Sequence, residues 1–299
     1  MIKHKSAFLS GVSIYICFCI LVASDSISNV FKTGSFAINI LFSEILAFIL
    51  PTIFMIALIR GNNKIRIPAS TKQFKPKNIR FAIYLGIITC LISFLLNIFF
   101  LNLGNQDVSG VNPLGIDGRD IQRNFILYLI GLVIIPAFTK EIYFRGVLFT
   151  VFSRYAGTKI AIILSALVFA MLYLSFYTFA GAFILGLVLA WLTYIFKSIW
   201  YSVITHSVNT LCYLFMIWIT DTYSAFGIWK YIIPVCLFIL LLFIYMALVS
   251  TEKLLLSGRV PHFKPCTRPA KQAVCILTLN LGAIIFIISF FAKTVFKVI

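Results

Sequence analysis

The 299 residues are 62% hydrophobic and only 11% charged. A soluble domain runs at about 45–50% and about 25%, so a soluble protein is excluded, as is a disordered chain. Lys and Arg number 25 against 8 Asp and Glu, a formal net charge of +17, and at about 20 apolar residues per crossing the chain holds material for at most roughly nine transmembrane helices.

Taken in chain order, the apolar runs predict helices over 6–24, 34–59, 81–101, 124–153, 158–178, 179–196, 198–219, 226–249 and 273–292. The fourth is interrupted by Lys140, Glu141 and Arg145. The hairpin between the fifth and sixth is the weakest boundary, because almost nothing polar separates them. The expected fold is all-α, a polytopic transmembrane bundle of about eight or nine spans. Residues 1–123 supply N-terminal helices, 124–219 a core, and 220–299 C-terminal helices, all in one membrane-embedded unit. Ala182, Gly186 and Ala190 form a stripe of small residues that predicts close helix packing, and the 31 Phe are expected mostly to face lipid.

The basic residues sort by loop. Seventeen of them are Lys3 and Lys5, the seven from Arg60 to Arg80, Arg154 and Lys159, Lys197, and the five from Lys253 to Lys271. With nine helices, all of these fall on one side. The positive-inside rule makes that side cytoplasmic, with the N-terminus inside and the C-terminus outside. Asp107, Asp117, Asp120 and Asp221 then fall outside. The excess charge is thus a topology signal and does not imply a nucleic-acid partner. The loops 60–80 and 250–272 are placed to touch anionic headgroups. The first helix is long enough to be a retained span and carries no small-x-small cleavage signal after it. The seven Cys show no metal or redox spacing, so neither disulfides nor a metal or other cofactor are expected. The Phe-, Ile- and Lys-rich composition suggests a bacterial plasma membrane.

A charge at the centre of a span costs about 2.5–3.5 kcal/mol on insertion scales, so Glu44, Lys140, Glu141, Arg145 and His206 each need a reason. Glu141 and Arg145 stand four apart on one helical face and can pair. Pro136, just before them, cannot donate to the carbonyl of Leu132 and should distort the helix. His206 lies in a polar neighbourhood with Thr205, Ser207 and Asn209. At 1.5 Å per residue it sits at roughly 12 Å depth and Glu141 at roughly 18 Å, so the two can converge. Glu44 is either a partner for Lys140 or Arg145, or a protonated acid.

These residues resemble a known family. The run Pro136-Ala-Phe-Thr-Lys-Glu-Ile-Tyr-Phe-Arg-Gly146 is similar to the glutamate-glutamate-x-x-x-arginine motif of the CPBP family, the CAAX protease and bacteriocin-processing (Abi) intramembrane peptidases. Phe169-Ala-Met-Leu-Tyr173 resembles its phenylalanine-x-x-x-histidine motif, and His206-Ser-Val-Asn-Thr210 its histidine-x-x-x-asparagine motif. The likeness covers about 125–215. In that family the first glutamate is the general base for a water, and two histidines and an asparagine complete the site. Here Lys140 stands at the first glutamate, Tyr173 at the first histidine and Thr210 at the asparagine, with Asn209 one residue earlier. Glu141, Arg145 and His206 keep their expected places. A general base must accept a proton near neutral pH, which an ammonium cannot do.

Three readings follow. The resemblance implies an endopeptidase, and the substitutions imply a weakly active or inactive relative that binds a membrane protein or peptide partner in the bilayer. A second reading is an active intramembrane endopeptidase that uses Glu141 and His206 with Asn209 and Tyr173. A third is a transporter, for which Glu44, Asn39, Asn97 and Asn280 are scattered candidates.

Overall fold

In lipid no water is present to bond exposed backbone groups, so apolar segments must close their hydrogen bonds internally as helices. The computed structural model describes residues 5–23, 36–59, 78–104, 116–223, 229–256 and 269–298, and every regular element among them is helical. The elements are α1 (Lys5–Val22), α2 (Phe36–Leu58), α3 (Ile79–Leu103), the short α4 (Gly118–Arg123), α5 (Phe125–Tyr128), α6 (Ile135–Glu141), α7 (Phe149–Met171), α8 (Phe176–Phe196), α9 (Trp200–Thr222), α10 (Trp229–Leu256), α11 (Ala270–Thr278) and α12 (Leu281–Val298). Two π-helical segments, Leu129–Ile134 and Ile142–Leu148, join α5 to α6 and α6 to α7. Seven helices are long and apolar enough to cross a membrane, or eight if the bent pair α11–α12 counts as one span. The protein is therefore an all-α, multi-pass membrane bundle. His4, Asp107, His262, Cys266 and most of the two basic loops lie outside the described residues.

One boundary keeps to the sequence expectation and two differ from it. The helices expected at 124–153 and 158–178 meet at a corner, where the 47-residue run Phe125–Met171 is broken at Gly157 with φ 73° and ψ 174°. Only glycine adopts that combination of angles readily, so glycine suits the corner. The next turn falls at 172–175 rather than at 178, and it passes through Leu174 at φ 54°. The expected single helix over 273–292 is two helices bent by 72°. Asn280 makes that break: its side-chain oxygen accepts from the N–H of Ala283 at 3.1 Å and its amide donates to the carbonyl of Leu277 at 2.8 Å, which caps the start of α12. The bend lays Gly282 on α1, where an added Cβ would come within 2.4 Å of the Val12 nitrogen.

The small-residue stripe on α8 does pack closely. A Cβ on Gly186 would lie 2.9 Å from the Ala166 Cα of α7. The Phe residues are divided more evenly than expected: Phe48, Phe94, Phe144 and Phe169 are buried, whereas Phe99, Phe176, Phe215 and Phe238 are exposed. Composition cannot tell these faces apart, because a buried and a lipid-facing Phe have the same neighbours in sequence.

At one end of the bundle, α4 is tied down by carboxylates. Asp117 accepts from the N–H of Arg119 at 2.7 Å and Asp221 of α9 from that of Gly118 at 2.7 Å. Asp120 accepts from the Tyr128 hydroxyl at 2.5 Å. Asp117, Asp120 and Asp221, three of the four Asp expected on one side of the membrane, thus gather at one end.

Candidate functional site in the bundle core

The π-helical segments bracket α6, which carries Pro136, Lys140 and Glu141. Pro136 supplies no N–H, and the helix absorbs that loss by widening one turn before it. Adjacent helical residues point about 100° apart, so Lys140 and Glu141 face different partners.

Glu141 turns inward. Its Oε2 pairs with Nε of Arg145 at 3.1 Å and its Oε1 meets Nδ1 of His206 at 2.9 Å. Both members of the Glu141–Arg145 pair are 0% exposed. Arg145 also donates through Nη2 to the carbonyl of Gly186 at 3.0 Å, and its guanidinium lies over the rings of Phe169 and Phe144 at 4.9 and 5.5 Å. A carboxylate already paired with arginine only accepts, so Nδ1 of His206 carries the proton, and in the neutral ring Nε2 holds the lone pair. The imidazole stands edge-on to Phe169 at 5.6 Å between centroids.

Lys140 turns the other way, toward α2. Its Nζ lies 2.8 Å from Oε1 of Glu44, and 5.5 and 5.3 Å from the ring centroids of Phe48 and Tyr173. Glu44 and Phe48 are one turn apart on α2 and present one face. The ammonium is therefore held by a carboxylate and two aromatic faces, an arrangement that offsets part of its desolvation cost. Of the two readings of Glu44, the structure gives the ion pair.

A cavity of about 530 Å³ brings the remaining positions together. Glu44, Lys140, Tyr173, His206, Asn209 and Thr210 all line it, and Glu141 and Arg145 form the layer behind His206. Asn209 donates to the Thr89 hydroxyl at 3.1 Å. The Thr210 hydroxyl turns back to the carbonyl of its own helix at His206, 3.1 Å away. Sequence reasoning did not assign Ser93, Asn97 and Tyr213 to this site, yet they line its far wall. Asn97 donates to the Tyr213 hydroxyl at 2.6 Å. Its signal in the sequence is a lone amide in an apolar span, which does not by itself say which neighbour it meets. Among the described residues, no three His, Cys, Asp or Glu side chains converge as metal ligands would.

Residues 122–212 match the family model described as type II CAAX prenyl endopeptidase Rce1-like. Neither a curated protein nor a solved structure matches the chain. The matched segment holds Lys140, Glu141, Arg145, Tyr173, His206, Asn209 and Thr210, so the site-bearing third of this CAAX-protease-like membrane protein is Rce1-like, consistent with the resemblance of its motifs to the CPBP family.

Proposed function

We propose that the protein is a CPBP-type membrane protein that holds a membrane partner or peptide in its core cavity without cutting it. The observation that carries this reading is the Lys140–Glu44 ion pair in the cavity wall. A hydrolytic site of the family type needs a free carboxylate at position 140 to take a proton from water. In its place stands an ammonium whose charge is consumed by Glu44. Tyr173 and Thr210, at two other motif positions, add no base.

The rival reading, with Glu141 as the base, meets a specific obstacle. Both Glu141 oxygens are engaged, one by Arg145 and one by His206, and the carboxylate sits behind the imidazole rather than on the cavity wall. The transporter reading needs a polar path across the whole membrane, whereas the polar side chains described above cluster in one cavity, and Asn280 is accounted for as a helix cap.

The cavity lining includes Leu21 and Val22 at the end of α1, Ile116 beside α4, and Ser175 to Thr178 at the start of α8. These lie at the end of the bundle that the charge distribution places outside the cytoplasm. In our reading the N-terminus is cytoplasmic, the C-terminus is outside, the membrane is a bacterial plasma membrane, and residues 124–219 form the working core.

The test is a cleavage assay with purified protein and a family-type prenylated peptide. No fragment is expected from the wild type or from Lys140→Ala. Fragment release by the wild type, with a rate that Lys140→Ala leaves unchanged, overturns the reading.

A further inference from the structure

The cavity walls contain a chemical bias. Two lining side chains each hold a buried acceptor oxygen without a hydrogen-bond partner: Glu44 Oε2 and Asn97 Oδ1. Asn97 is 2% exposed, and a buried acceptor left unpaired is costly unless something donates to it. The terminal torsions of Asn and Glu are broad, so a small rotation presents either oxygen to an occupant. His206 also lines the cavity, and its Nε2 is an acceptor for the reason given above. Four donors on this wall are committed: Lys140 to Glu44, Asn209 to Thr89, Thr210 to its own helix and the Asn97 amide to Tyr213.

Glu44 and Lys140 neutralise one another at 2.8 Å, and Lys293 is the other charged side chain on the lining. Beside these polar side chains the lining has an apolar wall, formed by Leu21, Leu132, Leu172, Leu185, Leu214 and Ile217. It continues to Val22 and Phe176, which are 37% and 62% exposed at the ends of their spans. A lining that runs out to bilayer-facing side chains suits an occupant that arrives from lipid. The volume of about 530 Å³ falls within the range of about 300–1,000 Å³ typical of small-molecule sites. Leu174, held at φ 54° in the same wall, is the kind of strained residue that gathers at ligand clamps.

We propose that the cavity binds an amphiphile whose head group carries O–H or N–H donors, taken by Asn97, Glu44 and His206, with its tail against the apolar wall. The inference rests on the binding reading above and names the chemistry of the ligand.

The experiment compares three C18 probes on the full chain in amine-oxide micelles, which lack hydroxyl donors of their own. Monoolein carries two hydroxyls, oleamide carries an amide N–H pair, and methyl oleate carries no donor. Monoolein and oleamide are each expected to bind about tenfold more tightly than methyl oleate, the scale of one buried hydrogen bond gained. Asn97→Leu, which keeps the side-chain size, should reduce that preference several-fold while methyl oleate binding stays within about twofold. Thermal unfolding of the variant checks that it is folded. If Asn97→Leu does not fold, Asn97→Asp, which retains acceptor oxygens, should keep the preference for both donor probes. Equal affinity for all three probes, or a preference that Asn97→Leu leaves intact in folded protein, overturns the proposal. So does displacement of bound monoolein by a donor-free ester at equal concentration. No peptide is present in this assay, so its outcome is separate from that of the cleavage test. Cleavage without the lipid preference would sink both readings, and cleavage with the preference would sink only the non-cutting one.

Discussion

Replacing Arg145 by Leu is expected to destabilise the folded protein by about 3–5 kcal/mol, read as a fall in unfolding midpoint in detergent micelles. Both partners of the Glu141–Arg145 pair are 0% exposed. Removing the guanidinium leaves a buried carboxylate without its countercharge. It also strips the carbonyl of Gly186 of its donor and two aromatic rings of their cation. Arg145→Lys should not rescue it, because a point charge cannot serve both Glu141 and the Gly186 carbonyl in fixed directions. The double variant Glu141→Gln with Arg145→Met should recover most of the loss. The glutamine oxygen still accepts from His206, and no unpaired charge remains buried. If the double variant is as unstable as Arg145→Leu, charge pairing is not what holds this layer, and shape complementarity around the guanidinium must be.

The second large effect is expected at Lys140. Glu44→Ala should cost about 3 kcal/mol, near the lower end for a broken buried pair, because the two side chains are 14% and 15% exposed. Lys140→Glu alone should be worse, since it sets two carboxylates against each other. The charge-reversed double variant, Glu44→Lys with Lys140→Glu, should return to within about 1 kcal/mol of wild type. A double-mutant cycle then gives the coupling directly. A coupling near zero would mean that the ammonium is not held by Glu44 and finds its partner elsewhere.

Much of this arrangement was legible in the sequence, and the reasons are physical. Charge-free apolar runs have one stable form in lipid, so helix existence followed from composition. The convergence of His206 and Glu141 followed from counting 1.5 Å steps inward from each helix end, and the distance is 2.9 Å. The Glu141–Arg145 pair followed from its spacing of four. What was not legible depended on local backbone choices. The turn at 172–175 passes through Leu174 at φ 54°, and an apolar sequence gives no polar signal for it. Asn280 reads as a membrane-embedded polar residue until its side chain is seen to cap α12. The partner of Glu44 was open because two cations, Lys140 and Arg145, four and nine residues beyond Pro136, were candidates. The 100° step between Lys140 and Glu141 assigns it only once the position of α2 is known. Asn97 and Tyr213 reach the cavity from α3 and α9, and no spacing rule links helices more than a hundred residues apart in sequence.

In the function we propose, the Lys140–Glu44 pair is what keeps this bundle from cutting, and restoring the motif tests that most directly. The measurement is peptide cleavage by purified wild type beside a variant carrying Lys140→Glu, Glu44→Gln, Tyr173→His and Thr210→Asn, with both proteins shown to be folded. A positioned general base contributes about 10²–10⁴-fold. The account therefore predicts no fragment from the wild type and measurable fragment from the variant. Wild-type cleavage at a rate equal to or above that of the restored variant would contradict it.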